Sequence, residues 1–264
     1  MYVQPERLLP AERLARMRSY LQDRPESVVD LATLARLFAV SQQTVRRDLA
    51  VLEADGLVHR TFGGAVVQSS GLRVEPALHT RHSHAANLKA AIAEAARRYL
   101  RNEDGIYLDA STTVLALARR VPDDWQGSAT TSSLPTVQEL GPRVRGSLTL
   151  LGGQYRPSSE CVGGVPALTQ LATQRFATAF LSCRALSTRH GLTEAREDEA
   201  ALKRLVIANS ARVVLLVDST KLETVAAHHF ADIKQANVLV VDDLAPADLV
   251  AALREQVEVV VAAT

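Results

Sequence analysis

Seven short, continuously apolar segments recur through residues 105–261, and they restrict the fold of this 264-residue chain more than any other feature. Helical patterns separate most of them. A strand without polar alternation is buried on both faces, and parallel strands need a crossover, usually a helix, between them. The pattern therefore predicts an α/β domain with a largely parallel, helix-covered sheet. The predicted strands are residues 105–109, 128–131, 147–151, 178–183, 213–217, 238–241 and 257–261.

Polar clusters follow four of these strands, at the sheet edge where α/β domains bind ligands. Small hydroxyl side chains at the start of a helix suit a phosphate group, because free N–H groups and the helix dipole favour an anion there. The same side chains are also common N-caps, so both interpretations stay open. A lysine adds one compact positive charge. The clusters are residues 109–113, 131–133, 152–153 and 218–221.

Three amphipathic helical segments are predicted near the start of the chain, and the second is too short to be stable alone. The third, residues 42–52, follows Ser41, whose hydroxyl can accept a bond from a free backbone N–H of the first turn. Its apolar stripe is Val45, Leu49 and Leu52. The first stripe is Leu14, Met17 and Leu21, with Arg13, Arg16 and Arg18 off it, and the second, within residues 29–38, is Leu31, Leu34, Ala35 and Phe38.

The polar face of the third helix is typical of a contact with the DNA major groove. Gln42, Gln43, Arg46 and Arg47 lie off its apolar stripe. Glutamine forms paired hydrogen bonds with adenine and arginine with guanine, and arginine also neutralises phosphate. A solvated helix face is the commoner explanation for such a set in isolation. The segment that follows the helix favours DNA binding instead.

That segment predicts a β-hairpin after a helix end at Gly56. Its strands are residues 57–61 and 65–67, joined by Gly63 and Gly64, where we expect positive φ angles. A hairpin in this position is the wing of a winged helix-turn-helix. Arg60 is then expected beside the minor groove or the DNA backbone, where it positions the protein without reading sequence. The predicted DNA-binding domain is residues 1–67.

Composition and the remaining residues exclude several other classes. Aromatic residues make up 4% of the chain, too few for a surface that stacks single-stranded nucleic acid. No apolar run reaches the roughly 18 residues of a membrane span, and two cysteines without a leader segment predict a cytoplasmic protein. The net charge of +1 does not decide between partners.

Residues 68–85, rich in Ser, Gly, Pro and His, are the predicted linker to a second domain of residues 86–264. The histidines His79, His82 and His84 match no metal-ligand spacing, and neither does the pair His228 and His229. We interpret them as ordinary polar residues. The sequence therefore predicts no metal site and no cofactor.

The segment 41–49, with Arg-Arg-Asp-Leu at 46–49, the segment 52–60 and Gly-Gly-Ala at 63–65 closely resemble the DNA-binding domain of the DeoR family of bacterial transcriptional regulators. The resemblance implies a winged helix-turn-helix that binds a double-stranded DNA operator. The implied DNA contacts are Ser41, Gln42, Gln43, Thr44, Arg46, Arg47, Arg60, Gly63 and Gly64.

Residues 87–241 resemble the sensor domain of the same family, which is itself similar in fold to ribose 5-phosphate isomerase. The matching segments are 108–113, 150–153, 191–193, 199–203 and 218–221, with Gly163. In relatives these segments surround a phosphorylated sugar or a similar intermediate. The resemblance thus implies a homodimeric or homotetrameric repressor of a carbohydrate or related metabolic operon, controlled by a small phosphorylated metabolite. The implied effector contacts are Asp109, Ser111, Thr112, Thr113, Ser132, Gly152, Gly153 and Lys221, with the phosphate on residues 111–113.

The resemblance departs at three positions of the expected pocket. The family usually has Gly at the position of Ser111, Asn at that of Ser132, and an acidic or Gly-rich stretch around Arg184. A side chain at position 111 narrows the approach of a phosphate, and Arg184 adds a positive charge. An unusual effector, a more acidic one, and no effector therefore all stay open.

Two other functions are weighed against a regulator without enzyme activity. A sugar-phosphate isomerase needs a base beside the carbon that loses a proton. Residues 181–184 offer none, so Asp109 and Glu199 are the remaining candidates. The other alternative is a DNA-binding protein with a degenerate sensor that binds no sugar phosphate, which the departures at Ser111, Ser132 and Arg184 favour.

Overall fold

The computed structural model describes residues 10–22, 28–54, 57–61, 63–67, 85–102 and 104–264, and the chain divides into two compact units, Met1–Pro76 and Ala77–Thr264. The predicted helix end at Gly56 and the predicted linker histidines His79, His82 and His84 lie outside the described residues. So does the predicted linker, apart from Ala85. The predicted domain boundaries at 67 and 86 therefore stay predictions.

The described residues of the first unit form three helices and a three-stranded antiparallel sheet of order β1-β3-β2. The three predicted helices and the predicted hairpin are confirmed, and this is a winged helix-turn-helix. The buried core unites the predicted stripes, with Met17, Leu34 and Leu49 fully buried. Its elements are α1 (Pro10–Gln22), β1 (Val28–Asp30), α2 (Leu31–Leu37), α3 (Gln42–Ala54), β2 (Val58–Thr61) and β3 (Gly64–Val67).

Strand β1 occupies the start of the segment 29–38 in which the second helical stripe was predicted. The Asp30 carboxylate accepts a hydrogen bond from the backbone N–H of Thr33 at 2.8 Å, so Asp30 caps α2 and the helix begins at Leu31. Val28 and Val29 are left extended and pair with β3. The sequence pattern missed this strand because three residues are too few to show an alternating period.

Neither Gly63 nor Gly64 has a φ angle in the left-handed region, so the prediction of positive φ at these two residues is wrong. Gly64 is required for a different reason. Its backbone lies opposite Asp30 of β1, and a Cβ added there would lie 2.1 Å from the carbonyl oxygen of Val29. Gly63 has open space around its Cβ position. The close approach of β1 therefore demands glycine at one of the two positions.

The second unit is built on a seven-stranded, fully parallel sheet of order β15-β14-β12-β9-β4-β5-β6. All seven predicted strands are confirmed to within two residues at each end. They are β4 (Gly105–Leu108), β5 (Ser128–Thr131), β6 (Leu148–Leu150), β9 (Thr178–Leu181), β12 (Val213–Val217), β14 (Val238–Asp242) and β15 (Glu258–Ala262).

Helices cover both faces of this sheet, as predicted. Successive residues of a strand point to opposite faces. In β4, Ile106 and Leu108 pack in the core beneath α4, α5 and α6, whereas Tyr107 packs in the core beneath α7, α8 and α9. The helices are α4 (Ala86–Ala96), α5 (Thr112–Ala118), α6 (Leu134–Leu140), α7 (Val165–Ala172), α8 (Glu197–Ala208) and α9 (Ala247–Arg254).

Five further strands form two small antiparallel sheets that the sequence pattern did not predict. They are only three or four residues long, and their glycine, histidine and arginine residues give no sustained period. The ribbon β7-β8 consists of Gln154–Arg156 and Cys161–Gly163, and the sheet β10-β11-β13 consists of Ala185–Ser187, Gly191–Glu194 and His228–Ala231. Within the described part of the chain, no helix has the length and apolarity needed to cross a membrane.

The two wing glycines make a matched test of the fold. We expect Gly64→Ala to lower the free energy of unfolding by about 1–3 kcal/mol, because the new methyl group meets backbone atoms of β1. Gly63→Ala is expected to leave that free energy unchanged or raise it by up to about 1 kcal/mol. Thermal unfolding with amide exchange of β1 and β3 measures both. Equal effects of the two substitutions would contradict this account of Gly64.

Candidate nucleic-acid interface and anion site

The start of α3 is organised by the cap predicted from the sequence. Ser41 Oγ accepts a hydrogen bond from the backbone N–H of Thr44 at 3.1 Å and lies 2.9 Å from Thr44 Oγ1. Behind this cap Val45 and Leu49 are fully buried. The side chains of Gln42, Gln43, Arg46 and Arg47 are exposed, as predicted. One helix face therefore presents two amides and two guanidinium groups to solvent.

A buried ion pair fixes α3 against α1. Arg13 Nε donates to Asp48 Oδ2 at 2.7 Å and Arg13 Nη2 donates to Asp48 Oδ1 at 3.1 Å, with both residues 8% exposed. The hydrogen bond and the charge of Asp48 outweigh burial and raise the pKa of Arg13 above its ordinary value. Arg13 lies off the apolar stripe of α1, as the sequence indicates, but it is buried. Its burial could not be predicted from the pattern of α1, because its partner is 35 residues distant.

The wing is attached to the end of α3 through Arg60. The Arg60 backbone N–H donates to Glu53 Oε1 at 2.8 Å, and Arg60 Nε donates to Glu53 Oε2 at 2.5 Å. The Arg60 side chain remains about half exposed. Arg60 was predicted to position the protein on DNA, and that contact stays a prediction. The structure adds that one carboxylate holds the arginine to the helix.

In the second unit, the predicted effector residues follow the carboxyl ends of neighbouring strands. The strands β12, β9, β4, β5 and β6 are adjacent in the sheet, so the loops after them share one edge. Hydrogen bonds link three of these loops directly: Lys221 Nζ donates to Ser182 Oγ at 3.0 Å, and the Ser182 N–H donates to Asp109 Oδ2 at 3.1 Å. We call the polar residues of these loops the carboxyl-edge cluster. They are Asp109, Ser111, Thr112, Thr113, Ser132, Ser133, Ser182 and Lys221.

Asp109 is held inside the protein by a buried lysine. Lys203 Nζ lies 2.9 Å from Asp109 Oδ2 and donates to Glu194 Oε1 at 2.5 Å and to the carbonyl oxygen of Ser182 at 2.6 Å. Burial alone lowers the pKa of Lys203, but the two carboxylates raise it on balance above its ordinary value. Asp109 is 4% exposed. Its predicted contact with an effector stays a prediction, and the structure gives its carboxylate an internal partner.

The hydroxyl groups of the cluster serve as helix caps. Ser111 Oγ accepts from the Val114 N–H at 3.1 Å, and Ser133 Oγ accepts from the Thr136 N–H at 3.2 Å. A hydroxyl that accepts one bond still has its own hydrogen to donate. Capping and binding an anion are therefore compatible at Ser111. Thr112 and Thr113 are buried behind it.

The other predicted contacts differ in how open they are. Ser132 is 3% exposed, with its hydroxyl 3.4 Å from that of Tyr107. Gly152 and Gly153 are exposed, and the Gly152 N–H donates to Gln170 Oε1 at 3.0 Å. The Lys221 side chain is 16% exposed, and its Nζ lies 3.7 Å from Asp218 Oδ2. The carboxyl-edge cluster is thus a mostly buried polar network.

Lys203 and Glu194 were not singled out from the sequence. A signal was present, because Lys203 follows Ala200 and precedes Val206 on the buried stripe of α8. A lysine on a buried stripe requires an internal partner. Within the described residues, no three histidine, cysteine or carboxylate side chains are grouped so that they can hold a metal. His228 instead faces Glu197, and His229 faces Asp232.

Comparison with known proteins gives two family matches. A family model described as the DeoR-like helix-turn-helix domain matches residues 13–71, and one described as the DeoR C terminal sensor domain matches residues 84–243. An HTH-type transcriptional regulator, GlpR of Haloferax volcanii, is 32% identical over 95% of each chain.

Two further relatives are named as repressors. The putative aga operon transcriptional repressor of Escherichia coli O157:H7 is 29% identical over 88% of this chain and 87% of its own. The lactose phosphotransferase system repressor of Lactococcus lactis is 34% identical over 70% of this chain and 72% of its own. Among solved structures, ribose 5-phosphate isomerase A of Methanocaldococcus jannaschii has a TM-score of 0.39 and 15% identity over 52% of this chain and 55% of its own.

The buried pair between Arg13 and Asp48 predicts a large effect on stability. We expect Asp48→Asn to lower the free energy of unfolding by about 3 kcal/mol, because it leaves a buried guanidinium without its counter-charge. Glu12→Gln removes the exposed partner of Arg16 and is expected to cost less than about 1 kcal/mol. Denaturant unfolding of both variants measures the difference. Similar small losses would show that the buried pair contributes no more than the exposed one.

Proposed function

Because the chain belongs to the DeoR family of transcriptional regulators, we propose that it represses a carbohydrate or related metabolic operon by binding an operator in double-stranded DNA, under the control of a small phosphorylated metabolite. The observation that carries this proposal is the exposed face of α3. Two relatives of the chain are named as repressors, one of an aga operon and one of a lactose phosphotransferase system.

The geometry of α3 supports base readout. Gln42 and Arg47 are five residues apart, so the polar face extends roughly 7.5 Å along the helix axis. That length spans about two to three base pairs at 3.4 Å each. Gln43 and Arg46 lie between them on the same exposed face. We assign contacts with the DNA bases to these four side chains. Contacts with the DNA backbone are assigned to Ser41, Thr44, Arg60, Gly63 and Gly64.

For the sensor, we assign the phosphate of the effector to the carboxyl-edge cluster. Lys221 supplies the positive charge, and the hydroxyls of Ser111 and Thr112 are the donors nearest in sequence to the end of β4. A ligand alters DNA binding only if it binds one arrangement of the protein more tightly than another. An operator with two half-sites requires two winged units. We therefore propose a homodimer or homotetramer located in the cytoplasm.

Absence of enzyme activity is part of the proposal. The two candidate bases for an isomerase are engaged by cations, Asp109 by Lys203 and Glu199 by Arg156. The Cys183 thiol is no better as a nucleophile, because burial raises its pKa to about 12. These pairings favour a binding domain over a catalytic one. The alternative is a sensor that binds no sugar phosphate, and the effector-binding experiment below distinguishes it from the proposed function.

DNA binding is tested by removing both arginines of the exposed face. We expect Arg46→Ala with Arg47→Ala to weaken binding to the promoter region of the gene by a factor of about 100 or more in gel-shift titrations. The free energy of unfolding should change by less than about 0.5 kcal/mol per site, because both side chains are exposed. Lys234→Ala with Arg254→Ala removes the same charge from the second unit. Equal losses in the two double variants would overturn the assignment to α3.

Effector binding is tested by thermal shift across a panel of sugar phosphates. At least one compound is expected to raise the unfolding temperature, and Lys221→Ala should weaken its apparent affinity tenfold or more, because a charge-assisted hydrogen bond is lost. Lys234→Ala, an exposed lysine of the same unit, should leave the shift unchanged. A panel without any stabilising compound would favour the DNA-binding protein with a degenerate sensor.

A further inference from the structure

Four arginines converge at the edge of the large sheet opposite the carboxyl-edge cluster. They belong to the segments that lead into three adjacent strands, β4, β5 and β6, so they lie at the amino-terminal edge. Together they line an open depression of the surface with a volume of about 330 Å³, whose remaining lining is Val121, Pro122 and Asp123. We call this set the amino-edge arginine cluster, and its members are Arg97, Arg119, Arg120 and Arg143.

Among the described residues, this lining contains four guanidinium groups and one carboxylate. The carboxylate is that of Asp123, which lies 3.5 Å from Arg143 and is 88% exposed. Two carboxylates outside the lining also pair with the cluster. Glu139 pairs with Arg119 at 2.9 Å, and Glu94 is shared between Arg120 at 3.2 Å and Arg97 at 3.7 Å. Exposed pairs of this kind contribute about 0–1 kcal/mol each, so an anion can replace them at little cost.

Backbone carbonyl groups hold two of the guanidinium groups in place. Arg120 Nη1 donates to the carbonyl oxygen of Ala116 at 2.8 Å, and Arg143 Nη1 donates to that of Arg119 at 2.5 Å. Arginines near helix ends also stabilise the negative end of the helix dipole. That effect accounts for each arginine singly, but it does not require four of them around one depression. Each guanidinium has five N–H donors, so donors remain for a ligand.

We propose that the amino-edge arginine cluster is a second anion site, which binds a diphosphate group. Guanidinium groups bind phosphate oxygens in pairs, and two linked phosphates offer enough oxygens and charge for four arginines. The volume of the depression falls within the range of small-ligand sites. The site is distinct from the proposed effector site, because it lies at the other ends of the same parallel strands. It therefore gives the sensor unit a second ligand input.

The test measures binding of pyrophosphate to the full chain by isothermal titration calorimetry. Arg97→Ala with Arg119→Ala removes the two most exposed members, and we expect the affinity for pyrophosphate to fall tenfold or more. Lys234→Ala with Arg254→Ala is the matched control, since these residues precede β14 and β15, at least about 14 Å away by strand spacing. The control and Lys221→Ala should bind pyrophosphate as the unmodified chain does.

Three outcomes would overturn the proposal. Loss of binding in Lys221→Ala alone would assign pyrophosphate to the carboxyl-edge cluster, and equal binding of sulfate would identify an adventitious ion only. Reduced operator binding by Arg97→Ala with Arg119→Ala, without pyrophosphate binding, would make this surface a DNA contact.

A second double variant controls for misfolding. Arg97→Lys with Arg119→Lys keeps the positive charge but removes the guanidinium groups. An affinity between those of the unmodified chain and the alanine variant would support paired guanidinium contacts.

Discussion

The second unit depends on the placement of one buried ammonium group. Lys203 on α8 lies between the carboxylates of Asp109 and Glu194 and also binds the carbonyl oxygen after β9. Three charges in a buried site are costly to desolvate, and only their mutual attraction and hydrogen bonds offset that cost. This one group therefore contacts the large parallel sheet through Asp109 and the small sheet β10-β11-β13 through Glu194. The loop that carries Ser182 is thereby fixed against the end of β4. Lys221 donates a hydrogen bond to Ser182 in this loop.

This network also sets the electrostatics of the proposed effector site. Two carboxylates against one ammonium leave a residual negative charge at the end of β4, which would repel a phosphate. The attraction for an anion must then come from Lys221, from hydroxyl hydrogens and from backbone N–H groups. The first unit follows the same principle, because Asp48 on α3 is neutralised internally by Arg13. The side chains of its neighbours Arg46 and Arg47 are exposed, so their positive charges remain available to a binding partner.

The parts of the structure that were predicted from the sequence are those whose signal is local. Continuous apolar runs identified all seven strands of the parallel sheet, and helical stripes together with the Ser41 cap identified α3. The features that were missed depend on residues far apart in the chain. Strand β1 exists because β3 lies beside it, Gly64 is needed because Val29 approaches it, and Arg13 is buried because Asp48 is there. For Asp109, its place after β4 was predicted, but its partner on α8 was not, since pairing is decided only by the fold.

The tether between Glu53 and Arg60 has a consequence for the thermodynamics of association. A wing that fluctuates independently of the recognition helix loses conformational entropy when it meets a duplex, and that loss weakens binding. Here two hydrogen bonds that Arg60 donates to one carboxylate order the wing while the protein folds. The helix and the wing then meet a double helix as a single preorganised surface. Formation of the complex is accordingly expected to be limited by electrostatic encounter and orientation, and not by ordering of the chain.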